Sequence, residues 1–186
     1  MRVDRATGKT TLIHLLLGLR IPTQGSIHFI DSSSKEEIHD RLQILDHCGW
    51  LEQSPYYEAV SGEEFISKSD PKRGSGNANA RIAEAAKQAD VDLSKLVNVM
   101  DAPPLIRKRL ALARVLIRRP SVLLVDEPLS GLSLLSAKLA FGETLIHASR
   151  HRTMILFTQN YEEVEMLRQC GLNFDAVLRL SLFEKN

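Results

Sequence analysis

The sequence has no long hydrophobic run, no clustered cysteines and no excess of charge of one sign, and each absence excludes something. The densest apolar stretches, Leu15 to Leu17, Val122 to Val125 and Met154 to Phe157, are strand or helix-face length, short of the roughly 18 residues that cross a bilayer. Cys48 and Cys170 lie far apart, and only the adjacent pair His47-Cys48 puts a second ligand type beside either, so no structural zinc site is expected. With 24 Lys+Arg against 23 Asp+Glu the net charge is +1, which gives no bulk electrostatic reason for a nucleic-acid or anionic-membrane surface. Met1-Arg2-Val3-Asp4-Arg5 leads into glycine and lysine rather than an apolar segment. No signal peptide is therefore expected, and a reducing compartment follows.

What remains is an ordinary globular composition, 44% hydrophobic and 25% charged over 186 residues, enough for a single domain spanning 1–186. Apolar residues from Leu12 to Leu19 predict a mostly buried helix from about Thr10 to Gly18. Ser26 to Ile30 alternates as a half-buried strand, Asp31 to Ser34 offer caps for a helix over Lys35 to Gln43, and Ile44 to Leu51 reads as a second strand. The segment SKSDPKRGSGNANA, 67–80, has turn formers and no large apolar residue, which predicts a flexible loop. Helices are expected over 80–90 and 105–119, the latter with Leu110, Ala113, Leu116 and Ile117 on one face. Ser121 to Val125 reads as a strand buried on both faces. A helix over 134–150, a strand over 153–158, a helix over 161–169 and a last strand over 174–182 follow. Strands alternating with helices predict a doubly wound α/β sheet.

Two motifs carry chemistry. Gly8-Lys9-Thr10-Thr11 opening a helix is the second half of a P-loop, in which backbone N–H groups and a lysine cradle phosphates while a Thr hydroxyl binds Mg²⁺. Val122 to Val125 ends in Asp126-Glu127-Pro128, an apolar strand delivering two acids to the carboxyl edge of a parallel sheet, where nucleotide sites form. Asp126 is suited to holding Mg²⁺ and Glu127 to polarising an attacking water. The single histidines are read as surface or structural, and Arg107-Lys108-Arg109 as a solvated helix face.

With these motifs in place the chain resembles the nucleotide-binding domain of ATP-binding cassette (ABC) transporters. The similar segments are GKTTLIHLLLGLRIPTQGSI, WLEQSP, RKRLALARVLIRRPSVLLVDEPLSGL and RTMILFTQNYEEVEML, in the family's order and over most of the chain. The resemblance implies a P-loop NTPase fold of the ABC type, with a mainly parallel sheet and a helical subdomain over about 55–119. It also implies ATP and Mg²⁺ as ligands. Gly8, Lys9, Thr10, Thr11 and the Q-loop residue Gln53 would bind nucleotide; Thr10, Gln53 and Asp126 would surround the metal; Glu127 and Gln159 would take the catalytic positions. The expected partners are transmembrane transporter subunits and a second cassette arranged head to tail, and not nucleic acid. The expected location is the cytoplasmic side of a membrane.

Several positions depart from the family pattern. The first two glycines of its phosphate loop fall on Val3 and Ala6, and Asp4 adds a negative charge beside them. Its signature LSGGQ aligns with Ala102-Pro103-Pro104-Leu105-Ile106, whose prolines have no N–H to offer a phosphate. Its D-loop aspartate is Ser133, and its switch histidine is Gln159, which can donate a hydrogen bond but cannot share a proton. A P-loop also needs a strand leading into it, and the residues before Gly8 make a poor one, so an N-terminally truncated cassette is expected. The reading is an ATP-binding domain with impaired hydrolysis of its own, working in a heterodimer. The alternative is a non-catalytic pseudo-ATPase serving as a regulatory or interaction module. A DNA-repair ABC ATPase is disfavoured, since the span between the motifs has no room for a long coiled coil.

Overall fold

A computed structural model describes residues 8–30, 34–74 and 76–178. The chain forms two compact units, one of Met1–Asp46 with Phe174–Asn186 and one of His47–Asn173. Val3, Asp4 and Ala6 lie outside the described residues.

In the first unit, α1 (Lys9–Leu16) follows the helical pattern of its sequence and buries Ile13, with Leu17 buried just beyond its end. Two short strands follow, β1 (Phe29–Ile30) and β2 (Glu37–Ile38), paired antiparallel. Here the sequence reading of a helix over Lys35 to Gln43 is overturned. Lys35 adopts a left-handed φ of 61°, which breaks a right-handed helix, and Glu37 pairs across the ladder while its carboxylate meets His28 Nδ1 at 2.6 Å. The helix starts later, as α2 (Arg41–His47), because Asp40 supplies the cap and accepts the Leu42 N–H at 2.9 Å. Ile44 therefore belongs to this helix and not to the strand that follows. Phe174 to Leu178 form no strand, and the rest of the predicted 174–182 strand lies outside the described residues.

The second unit is built on a parallel sheet of β3 (Cys48–Leu51), β4 (Val122–Asp126) and β5 (Thr153–Phe157) in the order β3-β4-β5. Leu123, Leu124 and Val125 of the middle strand are fully buried, as expected of a strand covered on both faces. Gly49 in β3 sits where a Cβ would come within 2.5 Å of Val115 Cγ1 and 2.8 Å of Pro120 Cγ, so the strand and the segment from Val115 to Pro120 approach closely only because that side chain is missing. Between β3 and β4 run α3 (Gly62–Ser67), α4 (Ala78–Gln88), two single 3₁₀ turns (Leu93–Lys95 and Val99–Asp101) and α5 (Pro104–Leu116). Ser61 caps α3 by accepting the Glu64 N–H. Between α3 and α4, where the sequence predicts a flexible loop, Asp70 is buried and both its oxygens accept from Arg81, which also donates to the Gly76 and Lys72 carbonyls. That pairing holds the Asp70 carboxyl below the usual carboxylate range.

Leu110, Ala111, Leu112, Ala113 and Leu116 bury α5, with Phe65 and Ile66 of α3 also fully buried; each such Leu or Ile contributes about 1.5–3 kcal/mol by leaving water. Arg114 lies over the Phe65 ring at 4.4 Å, and Arg107 lies 5.6 Å from the Tyr57 ring. Beyond β4, α6 (Leu135–Ser149) buries Phe141, Leu145 and Ala148, and α7 (Tyr161–Gln169) follows β5 over the residues its pattern predicts. No helix among the described residues is long and apolar enough to cross a membrane.

Candidate functional site

The chemistry-bearing residues fall in both units. In the first, Gly8 caps α1 with φ 76°, a left-handed conformation that costs an L side chain about 1–2 kcal/mol. A Cβ there would meet nothing within 4 Å, so backbone angle alone selects glycine. Leu12 N–H bonds to the Gly8 carbonyl at 2.8 Å. Lys9, Thr10 and Thr11 form the opening turn, whose backbone N–H groups have no acceptor inside the helix and form its positive end.

In the second unit the three parallel strands deliver their carboxyl ends side by side. Gln53 lies just past β3, Asp126 ends β4 with Glu127 next, and Gln159 lies just past β5. Asp126 and Glu127 are only 6% and 9% exposed. Gln53 Nε2 reaches Ser130 Oγ at 3.5 Å, in the turn that follows the two acids. Glu127 adopts a left-handed φ of 45°, its N–H bonds to the Phe157 carbonyl at 2.8 Å, and its carbonyl accepts from the Ser130 N–H. Its carboxylate is held from beyond β5: Oε1 accepts the backbone N–H of Gln159 at 3.0 Å and Oε2 faces Thr158 Oγ1 at 3.4 Å. The hold on Glu127 at position 159 therefore comes from the main chain, while the Gln159 side chain is exposed.

Beneath these groups lies a network that the sequence reading misses. Lys108, placed there on a solvated face, is 4% exposed; its Nζ donates to the carbonyls of Ser130 and Glu127, the latter at 3.4 Å, and lies 5.8 Å from the Phe141 ring. Burial pushes its ammonium down to about 8, against the opposing pull of Glu163 and Glu127. Arg109, also assigned to that face, turns to α6 and Asp90, bonding Thr144 Oγ1 at 3.0 Å, the Ala140 carbonyl at 3.2 Å and the Asp90 carboxylate at 2.6 Å. Glu163 of α7 is buried, accepts the Leu129 N–H at 2.6 Å on Oε1 and meets Thr158 Oγ1 on Oε2. The signal was available. Three consecutive helical residues spread around the axis, and Lys108 stands four before Leu112 and eight before Leu116, on the buried stripe. Glu163 likewise stands four before the buried Leu167.

At the matching start of α5, Pro103 is the cap and Pro104 the first helical residue. Proline fits a first turn but supplies no N–H.

A strand-end acid pair at the carboxyl edge of a parallel sheet, and a glycine-capped helix that opens on a lysine and two threonines, are each features of nucleotide-binding α/β proteins. Residues 6–130, more than half of the chain, match the ABC transporter family model, and the chain belongs to that family. It is 26% identical over 179 residues to the nickel import ATP-binding protein LarO of Lactiplantibacillus plantarum, covering 91% of this chain and 74% of that protein. It is 30% identical over 164 residues to the spermidine/putrescine import ATP-binding protein PotA of Legionella pneumophila, covering 84% of this chain and 43% of PotA. Against the glutathione/L-cysteine transport system ATP-binding/permease protein CydD of Haemophilus influenzae, it is 29% identical over 172 residues but spans only 28% of CydD. Among solved structures, cbiO1 of Clostridium perfringens, part of the ABC transporter complex cbiONQ, superposes with a TM-score of 0.73 at 23% identity, over 89% of this chain and 68% of that one.

Proposed function

We propose that the chain is the ATP-binding part of a membrane transporter, coupling nucleotide to the movement of cargo through separate transmembrane subunits. The observation that carries this reading is the buried Asp126-Glu127 pair at the end of β4, flanked by Gln53 and Gln159 on the neighbouring strand ends. Within the second unit the donors suit Mg²⁺: a carboxylate and an amide carbonyl, offered by Asp126 and Gln53, are hard oxygen ligands. Bound there, the metal would neutralise phosphate charge. Lys9 and the opening turn of α1, with Thr10 and Thr11, would bind phosphate, and Glu127, oriented by Gln159 N–H and Thr158, would accept the proton of a water. Two of the relatives above are named for the import of unlike cargo, nickel in one case and spermidine/putrescine in the other, which supports a cargo choice made outside the ATP-binding part.

Hydrolysis by this copy is expected to be weak. Pro103 and Pro104 leave the start of α5 poor in donors for a second nucleotide, so the chain would act as the degenerate member of a heterodimer in which the partner cassette supplies an intact signature to the ATP held by this chain. The same prolines support the second reading, a pseudo-ATPase that regulates or docks without turnover. Titration with a fluorescent ATP analogue and Mg²⁺ tests the first: saturable binding is expected, and none up to millimolar nucleotide overturns it. Glu127→Gln separates the two readings, since it should trap ATP in a working cassette and change nothing in a regulatory module.

A further inference from the structure

A second cluster of reactive side chains lies in the first unit, on the β1-β2 hairpin and the residues leading into it. His28 stands between two partners: its Nδ1 meets Glu37 Oε1 at 2.6 Å, and its Nε2 meets Ser26 Oγ at 2.6 Å. The register explains the meeting with the acid. Ile30 pairs with Glu37 and Phe29 with Ile38, and side chains two apart share one face of a strand, which brings His28 and Ile30 beside Glu37 and His39. His39 Nδ1 lies farther from the same carboxylate oxygen, at 3.7 Å. No group of three or more His, Cys, Asp or Glu among the described residues is arranged to hold a metal ion.

Donor counting fixes the roles in this chain of contacts. An ionised carboxylate only accepts, so the short contact to Glu37 puts a proton on His28 Nδ1, and a neutral imidazole then has its other nitrogen free to accept. Nε2 takes the Ser26 hydroxyl proton. A hydroxyl bonded to a base that is itself oriented by an acid is the arrangement that activates a serine as a nucleophile. Ser26 and His28 are both exposed, so an acyl donor and water can each reach them. Ile30, directly across the ladder from Glu37 and 64% exposed, offers an apolar side chain on the same face for an acyl or aryl group. An open face of this kind suits small donors with a good leaving group, such as aryl esters and thioesters.

We propose that Ser26 is an acyl-accepting nucleophile, with His28 as its base and Glu37 as the positioning residue of the imidazole, and that the first unit hydrolyses small activated esters. Ser26 Oγ bonds to the carbonyl carbon while its proton passes to His28 Nε2. The bond from that carbon to the leaving phenol, alcohol or thiol breaks, and the leaving group takes the proton from His28. Water, deprotonated by the same nitrogen, then breaks the acyl-serine bond, releasing a carboxylic acid and returning the proton to Ser26. No step involves a nucleotide, so the proposal stands or falls apart from the ATP-binding reading.

The test incubates the full chain with p-nitrophenyl acetate, follows p-nitrophenol release, and maps the acetylated residue by peptide mass after an acid quench. Acetyl-Ser26 is expected in the wild type. Ser26→Ala should remove that species and its share of the release, and His28→Ala should slow acetylation of Ser26 about 100-fold. Glu37→Leu should slow it about tenfold, with partial recovery in Glu37→Asp. Nitrogen NMR of the imidazole should place the ring proton on Nδ1 of His28 in the wild type, and Glu37→Leu should lose that preference. Acetyl groups on lysine, cysteine or histidine with none on Ser26, or release that Ser26→Ala and His28→Ala both leave unchanged, overturns the proposal. A wild-type rate and ring proton in Glu37→Leu overturns the role given to Glu37. Should a variant disturb the hairpin, the mapping on the wild-type chain still decides whether Ser26 is the nucleophile.

Discussion

α1 and α5 both open where the family resemblance puts phosphate contacts, and they open in opposite ways. α1 follows Gly8 in a left-handed conformation, with lysine and threonines in its first turn; α5 follows Pro103 in an extended conformation, with Pro104 as its first residue. Both are sound helix starts, since glycine tolerates the turn and proline has its φ preset. Only the first keeps a full set of donors. The demands of folding and of phosphate binding thus coincide at α1 and separate at α5, where the buried stripe from Lys108 to Leu116 holds the helix whatever its first turn offers a ligand.

The comparison breaks first, and most widely, at Lys9. Lys9→Ala should weaken binding of an ATP analogue by roughly 10–100-fold, the loss of one charged hydrogen bond, with an unchanged melting point; calorimetric titration reads it, and undiminished affinity would make α1 as silent as α5. A smaller effect should come from inside α5. Lys108 is depressed to about 8 from 10.5, so the unfolded chain binds the extra proton in that window and stability rises with pH across it, by roughly 2 kcal/mol, then flattens below about 8. Urea midpoints at both ends of the window should show this in the wild type and no rise in Lys108→Met. The smallest difference lies in the caps: Gly8→Ala should cost about 1 kcal/mol through its backbone angle, and Pro104→Ala within about 0.5 kcal/mol. Equal costs in denaturant titration would remove the contrast between the two starts.

Much of the sheet unit was legible because its signals are local. The apolar run of β4, the acids that end it and the pattern of α7 each sit within one short segment, and the strand ends then bring Gln53, Asp126, Glu127 and Gln159 to one edge. What escaped depends on distant partners. Nothing near Lys35 announces that Glu37 pairs with a strand instead of joining a helix, and Asp70 looks like loop until Arg81, on the next helix, closes on it. Lys108 and Glu163 were overlooked for another reason: each stands on the buried stripe of its helix, but a charged side chain reads as solvated, and the groups that satisfy these two lie on other elements.

The main-chain grip on Glu127 at position 159 bears on how such a chain can change over generations. Because the donor is a backbone N–H, any residue except proline can stand there without loosening the acid. The side chain at 159 is therefore a free variable: a lineage can discard a proton-sharing group at that point and later regain one by a single codon change, with the scaffold for it still in place.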